Sequence, residues 1–510
     1  MSKLLKLFDD HILEYFSIAL LIFLPLYPKI PIADILPGYI VRIRMDDILV
    51  GCAFLIWIIW LFRGKVSLKG NLLLIPIGIY LVIGFLSSLS AIFITKTVPF
   101  EPLHVGKLFL HFLRRVEYFS VFFIFFSSIK SLEQIKKYVY LAAIVLLAVS
   151  IYGFGQKYLY WPVFSTMNRE FSKGIKLYLT EHARVLSTFG GHYDLAAYLM
   201  IVLTLFIPLF LIVKKWLHKS LFLLVSLAGF WLLILTVSRT SFIAYIFSIT
   251  VVFAILSAKK GLIWSLSRWF VVMTISLSIM LSFGELSDRF AHVLKVDKFK
   301  NAAFKPLKEK PQGEEVAYID ISEVSPQSDI PPSSGKPSDV VVDVPEFGTE
   351  AEGTFAAKPR VYSQAALQYD LSTGIRLDYA WPKAIEGFNR NPLLGSGYST
   401  LTKMTISEFT EAESTDNDFL RALGETGLLG FLSFYAIVAL SIWFALKNFE
   451  KIKDSFSFTI VAGIVAATLG LLVNAIYIDV FEASKVAYTF WIMMAILIAT
   501  IKFSTQSKKS

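Results

Sequence analysis

The residues best suited to carry chemistry in this sequence are arginines that stand where long apolar runs end. Arg239 lies in LTVSRTSF between Ser238 and Thr240. Arg184 lies in EHARVLSTFGGHYDLAAYL, and Arg376 lies in GIRLDYAW. A guanidinium group stays charged at any physiological pH and forms paired hydrogen bonds with phosphate oxygens. We therefore expect the three arginines to bind a diphosphate, although an arginine in such a place can also extend to lipid headgroups.

Histidines and further charges accompany these arginines. His182 and His192 flank Arg184 and are candidates for substrate binding, with interfacial anchoring of this segment as the other interpretation. A second charged group, Arg114–Glu117, lies inside an apolar run. Because charges at membrane depth are costly, we expect Glu117 to pair with one of the arginines beside it, and we interpret this group as structural.

Several classes of function lack any motif in this chain. There is no Walker loop, no GxGxxG, no HExxH and no nucleophile elbow, so soluble nucleotide-binding and hydrolase chemistry find no support. The single cysteine, Cys52, excludes an intrachain disulfide and a cysteine-based metal site. The net charge is +10, but the lysines and arginines fall in small clusters between apolar runs, so no nucleic-acid partner is expected. We expect neither a cofactor nor a metal.

The elements that hold these residues are predicted to be membrane helices. The 510 residues are 55% hydrophobic and 17% charged, with a mean hydropathy of +0.63, which is too apolar for a soluble protein of this length. About 20 apolar residues cross the ~30 Å hydrocarbon core. We predict an all-α integral membrane protein with about twelve transmembrane helices. The predicted spans are Ile12–Pro28, Met45–Phe62, Leu72–Ile94, Leu108–Ile129, Tyr138–Phe154, Leu195–Val213, two within Leu221–Ala258 divided at Arg239, Arg268–Phe283, Leu428–Leu446, Phe456–Ile478 and Val486–Ile501.

Basic residues predict the orientation of these spans. Short cytoplasmic connections retain lysine and arginine, and clusters of these residues begin at Lys3, Arg63, Lys130, Lys214, Lys259, Lys447 and Lys508. All of them fall on one side if the N-terminus is inside, so both termini are predicted to be cytoplasmic. No small-residue cleavage site follows the first span, which is therefore expected to be an uncleaved anchor.

One large extracytoplasmic loop, 284–427, is predicted between spans nine and ten, and it separates residues 1–283 from residues 428–510. Residues at about 305–360 form an acidic insertion rich in proline and serine, which we expect to be disordered and dispensable. The apolar spacing over Ile375–Phe388 then predicts a short amphipathic helix on the membrane face.

Two signals follow this predicted helix. Gly395 and Gly397 indicate a turn. The segment ESTDNDFLRALGETGLLGFL then leads into span ten, and its first residues are typical of a helix start, with the cap predicted at Ser414 or Thr415.

Four segments of the chain, in order, resemble the O-antigen ligase and Wzy-type polymerase superfamily of bacterial envelope glycosyltransferases. RVLSTFGGHYDLAAYLMIVL is similar to the family's Arg, Thr-Phe-Gly and Asn/Asp-Leu-Ala pattern, and TVSRTSFIAYIF is similar to its Ser-Arg-Gly turn. GIRLDYAWPKAIEGFNRNPLLGSGYSTL is similar to its Arg, Trp and Asn-Pro-Leu-x-Gly-x-Gly block. STDNDFLRALGETGLLGFLSFY is similar to its His-Asn-x-Tyr-Leu and Glu-Thr-Gly-Leu-x-Gly block.

This resemblance implies transfer of a glycan from undecaprenyl diphosphate to a hydroxyl of a glycan, lipid or protein acceptor. The reaction would take place at the outer face of the bacterial cytoplasmic membrane, without a metal. Arg184, Arg239 and Arg376 would then neutralise the leaving diphosphate.

The chain departs from the family at the first position of the His-Asn-x-Tyr-Leu motif, because Asp416 stands where the family has histidine. Asp416 is the candidate general base and Asp418 the second candidate, with Asn417 and Asp418 expected to bind substrate. A helix cap at these residues is the competing interpretation.

Other functions fit a chain with many membrane spans. A transporter or flippase for lipid-linked glycans is the main alternative, although transporters usually have internal repeats and a binding site at the bilayer midplane. A peptidoglycan polymerase is a second alternative, and a non-catalytic regulator that has lost the family histidine is a third.

Overall fold

The computed structural model describes residues 3–36, 41–167, 171–180, 183–282, 376–401 and 414–506. The predicted acidic insertion and His182 lie outside the described residues. Most of the described chain is α-helical, and one two-stranded antiparallel sheet pairs β1 (Pro31–Asp34) with β2 (Arg42–Arg44).

The described residues contain thirteen α-helices. In chain order they are α1 Lys3–Leu26, α2 Met45–Phe62, α3 Leu74–Phe93, α4 Pro102–Ser128, α5 Leu132–Tyr158, α6 His192–Ile212, α7 Trp216–Leu235, α8 Arg239–Lys260, α9 Leu262–Ser282, α10 Trp381–Arg390, α11 Asp418–Asn448, α12 Ser455–Asn474 and α13 Ser484–Gln506. A π-helical turn, Arg376–Ala380, precedes α10.

The predicted all-α membrane architecture is confirmed. Within the described residues, ten helices are long and apolar enough to cross a membrane. The two other predicted spans coincide with α1, whose apolar part His11–Leu26 is shorter, and with α4, which carries the charged group Arg114–Glu117. The total of twelve spans therefore stays a prediction.

The division of the long apolar stretch in the middle of the chain is confirmed. Helix α7 ends at Leu235 and α8 begins at Arg239. Between them, Val237 has a backbone φ of +53°, which a β-branched residue rarely adopts and which reverses the chain direction. Helices α6, α12 and α13 lie at the centre of the bundle, since 78%, 78% and 83% of their spanning residues are buried.

The two ends of the bundle differ in chemistry. At one end, the Lys259 ammonium donates to the carbonyls of Ile452 and Lys453 at 2.6 and 2.7 Å, so two lysine-rich connections meet there. At the other end lie the starts of α6, α8, α11 and α13 and the ends of α7 and α12. We call this second end the site end.

A break in α11 shapes the site end. Gly427 has φ 65° and ψ −168°, a backbone conformation that is essentially restricted to glycine. Residues 391–401, here called the glycine loop, fill the break. The N–H of Gly397 donates to the Glu425 carbonyl at 2.8 Å, and the N–H of Leu428 donates to the Pro392 carbonyl at 2.8 Å. The loop thereby satisfies backbone groups that the broken helix cannot pair internally.

The predicted amphipathic helix and glycine turn are present as α10 and the glycine loop. Gly395 and Gly397 have φ of +70° and +99°, as a glycine turn requires. Ala384 and Gly387 form the buried face of α10, and a Cβ on Gly387 would lie 3.0 Å from the Gly424 carbonyl oxygen of α11. Only a small residue permits this close contact between the two helices.

Candidate functional site

The centre of the site end is the segment Ser414–Asn417, here called the aspartate turn. One carboxylate outside the turn, Asp479 in the connection between α12 and α13, holds it. Asp479 Oδ1 accepts the Asn417 N–H at 2.8 Å, and its Oδ2 accepts the Thr415 N–H at 3.0 Å. The Ser414 hydroxyl also lies 2.8 Å from Asp479 Oδ2. The turn is thus fixed by a residue from a distant part of the sequence.

The cap of α11 is Asn417. Its Oδ1 accepts the Leu420 N–H at 2.9 Å, and its backbone is extended, as an N-cap requires. The prediction of the cap at Ser414 or Thr415 is therefore wrong. Five consecutive residues of this segment are of types that can cap a helix, and the hydrogen bonds to Asp479 decide which of them does so.

Asp416 lies at the apex of the aspartate turn with a backbone φ of +52°. Aspartate tolerates this left-handed conformation better than most residues do. One carboxylate oxygen lies 2.7 Å from the Ser414 hydroxyl, and the other lies 3.3 Å from Arg376 Nη2. The Asp416 side chain is 28% exposed. Two of the predicted site residues, Asp416 and Arg376, thus form an ion pair.

Arg376 is held on the connection that carries Asp479. Its Nη2 donates to the Tyr477 carbonyl at 3.3 Å, and its guanidinium lies 5.8 Å from the centre of the Tyr477 ring. This position orients the planar cation along the aspartate turn.

Asp418, the first residue of α11, is buried beneath the turn. Its N–H donates to the Ala475 carbonyl at 2.9 Å, and its Oδ2 accepts the Phe481 N–H at 3.2 Å. Both partners belong to the connection between α12 and α13. Asp418 therefore anchors the start of α11 to that connection.

A network of charges extends from Asp479 into the bundle. Arg421 donates to Asp479 at 2.9 Å and to Glu425 at 3.3 Å. Arg115 of α4 pairs with Glu482 and lies 3.8 Å from Glu425. The charged residues other than Asp479 line a cavity of about 40 Å³, together with aromatic residues of α3, α4, α11, α13 and the glycine loop. This volume is room for a few water molecules.

Asp479 is ionised in this environment. Its side chain is 7% exposed, and burial by itself raises the pKa of a carboxyl group. The Arg421 guanidinium and the hydrogen bonds from Ser414 and Asn417 outweigh burial and hold the pKa of Asp479 below its usual range. An ionised carboxylate only accepts hydrogen bonds. The groups that form hydrogen bonds with Asp479 are all donors, so the ionised form satisfies them.

Arg184 and His192 form a second group at the site end. Arg184 is 7% exposed, and its Nη1 donates to His192 Nε2 at 2.7 Å. Because a guanidinium only donates, Nε2 of this fully buried histidine is its unprotonated nitrogen. The Tyr193 hydroxyl lies 3.4 Å from the same Arg184 nitrogen. In this structure His192 holds Arg184 in place.

Arg239 begins α8 at the same end of the bundle. Ser238 caps the helix, and Ser241 in its first turn donates to Asn474 Oδ1 of α12 at 3.2 Å. Asn474 directly precedes Ala475, whose carbonyl accepts the Asp418 N–H. The start of α8 is therefore connected to the start of α11 through the end of α12.

A backbone hydrogen bond to the end of α7 connects the segment with Arg184 to the same end of the bundle. The N–H of Val185 donates at 3.2 Å to the carbonyl of Leu235, the last residue of α7, and the turn after Leu235 leads to Arg239 at the start of α8. The structure thus places Arg184, Arg239, Arg376 and Asp416 at one end of the bundle.

Sequence reasoning missed four charged residues of the site: Arg421, Glu425, Asp479 and Glu482. A signal exists for Asp479 and Glu482, because both lie in the short connection YIDVFEAS between apolar spans, where a buried charge requires a partner of opposite charge. The expected pairing of Glu117 is confirmed, because Arg114 lies 3.0 Å from it.

Part of the chain, including several residues of this site, matches a known protein family. Residues 223–435 match the family model described as O-antigen ligase, Wzy_C, whereas no curated protein matches the chain. The matched region contains Arg239, Arg376, the aspartate turn and the break at Gly427. The role that goes with this family is glycan transfer of the ligase or polymerase kind in a membrane. Residues 223–435 of the chain therefore belong to the O-antigen ligase and polymerase superfamily.

Proposed function

We propose that this protein transfers a glycan from an undecaprenyl-diphosphate carrier to a hydroxyl group of a glycan, lipid or protein acceptor. In this proposal the site end faces the outside of the bacterial cytoplasmic membrane and both termini are cytoplasmic. The observation that carries the proposal is the contrast between two aspartates. Asp416 is 28% exposed at the apex of its turn, whereas Asp479 is 7% exposed and surrounded by donors.

Asp416 acts as the general base. Its carboxylate takes the proton of the acceptor hydroxyl while the hydroxyl oxygen forms a bond to the anomeric carbon of the donor glycan. The bond between that carbon and the diphosphate oxygen breaks, and the lipid diphosphate leaves with the electron pair. A positioned base contributes about 10²- to 10⁴-fold to the rate of such a step.

The three arginines neutralise the leaving group. Charge develops on the diphosphate as the glycosidic bond breaks, and donors that are already oriented stabilise that charge by several kcal/mol. Arg376 is paired with Asp416, and its five N–H donors allow it to contact a phosphate oxygen as well. Arg184 is oriented by His192, and Arg239 is placed by the start of α8.

The transporter alternative has one observation in its favour, the break of α11 at Gly427. Transporters often bind their cargo where membrane helices are interrupted. Here, however, the glycine loop occupies the break with its own backbone, and the Glu425 carbonyl accepts the Gly397 N–H. Because the glycine loop already pairs these backbone groups, they are not available to bind a cargo. The break therefore favours a structural role over a transport role.

One assay separates the two functions. Purified protein in proteoliposomes is given radiolabelled undecaprenyl-diphosphate oligosaccharide, and free undecaprenyl diphosphate and extended glycan are measured. The proposal predicts that both appear together. Movement of the intact lipid across the bilayer without release of diphosphate would instead support a flippase.

A further inference from the structure

The aspartate turn takes its shape from a residue beyond the region that matches the family. We propose that Asp479 is the positioning residue that fixes Asp416 for proton abstraction, an inference that rests on the function proposed above. Asp479 lies in the connection between α12 and α13 and contacts the turn on both sides of Asp416. Three features support this role: the hydrogen bonds of Asp479 to the turn, the Ser414 hydroxyl that both aspartates share, and the residues that hold Asp479 itself.

The two backbone bonds determine the conformation of Asp416. The Thr415 and Asn417 N–H groups precede and follow Asp416, and they donate to the two different oxygens of Asp479 at 3.0 and 2.8 Å. These bonds fix the 414–415 and 416–417 peptides, and the Asp416 N–H, which belongs to the peptide between them, donates to the Ser414 hydroxyl oxygen at 3.1 Å. Asp416 is thereby held at φ +52° with its side chain at the apex.

The Ser414 hydroxyl links the two aspartates directly. It lies 2.7 Å from Asp416 Oδ1 and 2.8 Å from Asp479 Oδ2, and it also accepts the Asp416 N–H at 3.1 Å. A hydroxyl has one proton to donate, so it serves one carboxylate at a time. The distance between the carboxylates is therefore set by this shared side chain.

Asp479 is itself immobilised from the interior of the bundle. Arg421 donates to it at 2.9 Å and also contacts Glu425 at 3.3 Å. Glu425 Oε1 in turn accepts the Ser399 N–H of the glycine loop at 3.0 Å. A continuous series of hydrogen bonds thus runs from the glycine loop to the aspartate turn. This series connects two motif blocks of the family to one residue that neither block contains.

The position of Asp479 requires a carboxylate. Its two oxygens accept from four donors, which belong to Ser414, Thr415, Asn417 and Arg421. Asparagine would keep one oxygen and would direct an NH₂ group at the donors of the other. It would lose either the single contact of Oδ1, from Asn417, or the three contacts of Oδ2. Because its lone pairs are already in use, Asp479 acts through Asp416 and does not take the proton itself.

A double-mutant cycle in the full-length protein tests this role. Transfer by Asp479→Asn, Asp416→Asn and the double variant is measured in proteoliposomes. Asp479→Asn should lower kcat by about 10- to 100-fold, because small misplacements of a catalytic group have effects of this size, with KM for the donor within about threefold of wild type. The double variant should be no slower than Asp416→Asn alone, since both changes remove the same function.

The matched control is Asp454→Asn. Asp454 caps α12 at the opposite end of the bundle through Ser457 at 2.9 Å, and asparagine caps as well as aspartate. This variant should transfer at the wild-type rate. Independent losses that multiply in the double variant would overturn the proposal, as would an Asp479→Asn effect confined to KM.

Amide hydrogen exchange tests the hydrogen bonds of Asp479 to the turn without an activity assay. Asp479→Asn should accelerate exchange of the Thr415 and Asn417 amides, whereas Asp454→Asn should leave them protected. Unchanged exchange in Asp479→Asn would overturn the proposed clamp. If wild-type protein transfers no glycan while this exchange result holds, the proposed function fails and the structural clamp remains established.

Discussion

Asn417 Oδ1 accepts the Leu420 N–H at 2.9 Å, and this hydrogen bond assigns the cap of α11 to Asn417. Asp416, one residue earlier, is therefore free of the capping role that its sequence position also suggested. Its carboxylate contacts Ser414 and Arg376 instead. A substitution of Asp416 can consequently test chemistry without removing the helix cap.

The diphosphate role of the arginines is tested by Arg239→Ala, Arg239→Lys and Arg184→Ala. We predict loss of transfer in both alanine variants and poor rescue by lysine, because an ammonium group cannot form the paired hydrogen bonds of a guanidinium. Transfer and membrane insertion are measured in parallel. Arg268→Ala serves as the control, since Arg268 stacks on Trp264 in α9, away from the site. Near-normal turnover in Arg239→Ala would remove the diphosphate role of that residue.

The break in α11 is tested by Gly427→Ala. A Cβ at this position would lie 2.4 Å from the Leu393 carbonyl carbon, and the backbone conformation is one that alanine avoids. We predict a loss of about 1–3 kcal/mol in stability and lower transfer, because the glycine loop can no longer pack against α11. Thermal unfolding in detergent measures the effect.

Gly78→Ala is the matched control for this substitution. Gly78 lies within α3, and no atom lies within 4 Å of the position that its Cβ would occupy. Alanine is the better helix former by about 1 kcal/mol, so this variant should be as stable as wild type or more so. Equal unfolding temperatures for Gly427→Ala and wild type would contradict the packing described here.

The ionised state of Asp479 predicts a pH dependence of stability. A carboxyl group whose pKa is lowered on folding stabilises the fold above its unfolded pKa of about 3.9. That stabilisation is lost as the pH falls through the lower pKa of the folded state. The difference in unfolding temperature between wild type and Asp479→Asn should therefore be constant from about pH 5 to pH 8 and shrink below about pH 4. A difference that persists unchanged at pH 3 would argue against a charged Asp479.

The orientation of the chain is tested by cysteine labelling. In a Cys52→Ser background, Ile330→Cys should react with a membrane-impermeant maleimide in intact cells, because the loop 284–427 is predicted to face outward. A cysteine at Lys508 should react only after the cells are opened. Shielding of position 330 in intact cells would reverse the predicted topology.

Much of the fold could be predicted from the sequence because membrane helices follow a simple rule of length and hydropathy. The division at Arg239 was predictable, since one helix over that stretch would be nearly twice the thickness of the bilayer core. The glycine turn at Gly395 and Gly397 was predictable from residue type alone.

The site was only partly predictable, because its central contacts join residues that are far apart in the sequence. Asp479 was not predicted, since its partners Thr415 and Asn417 use backbone N–H groups, which have no sequence signature. The cap at Asn417 was not predicted either, because local preference does not distinguish it from its neighbours. In both cases the outcome depends on hydrogen bonds between distant parts of the chain, which local sequence preferences do not contain.

The most direct test of the account is the rate of glycan transfer by Asp416→Asn in proteoliposomes, measured with protein that is shown to be inserted and folded. Asn417 still caps α11 in this variant, so helix stability should be unchanged. The account predicts a rate lower by about 10²- to 10⁴-fold and normal binding of the lipid-linked donor. Transfer at the wild-type rate would contradict the assignment of Asp416 as the base and would leave Asp418 as the next carboxylate to test.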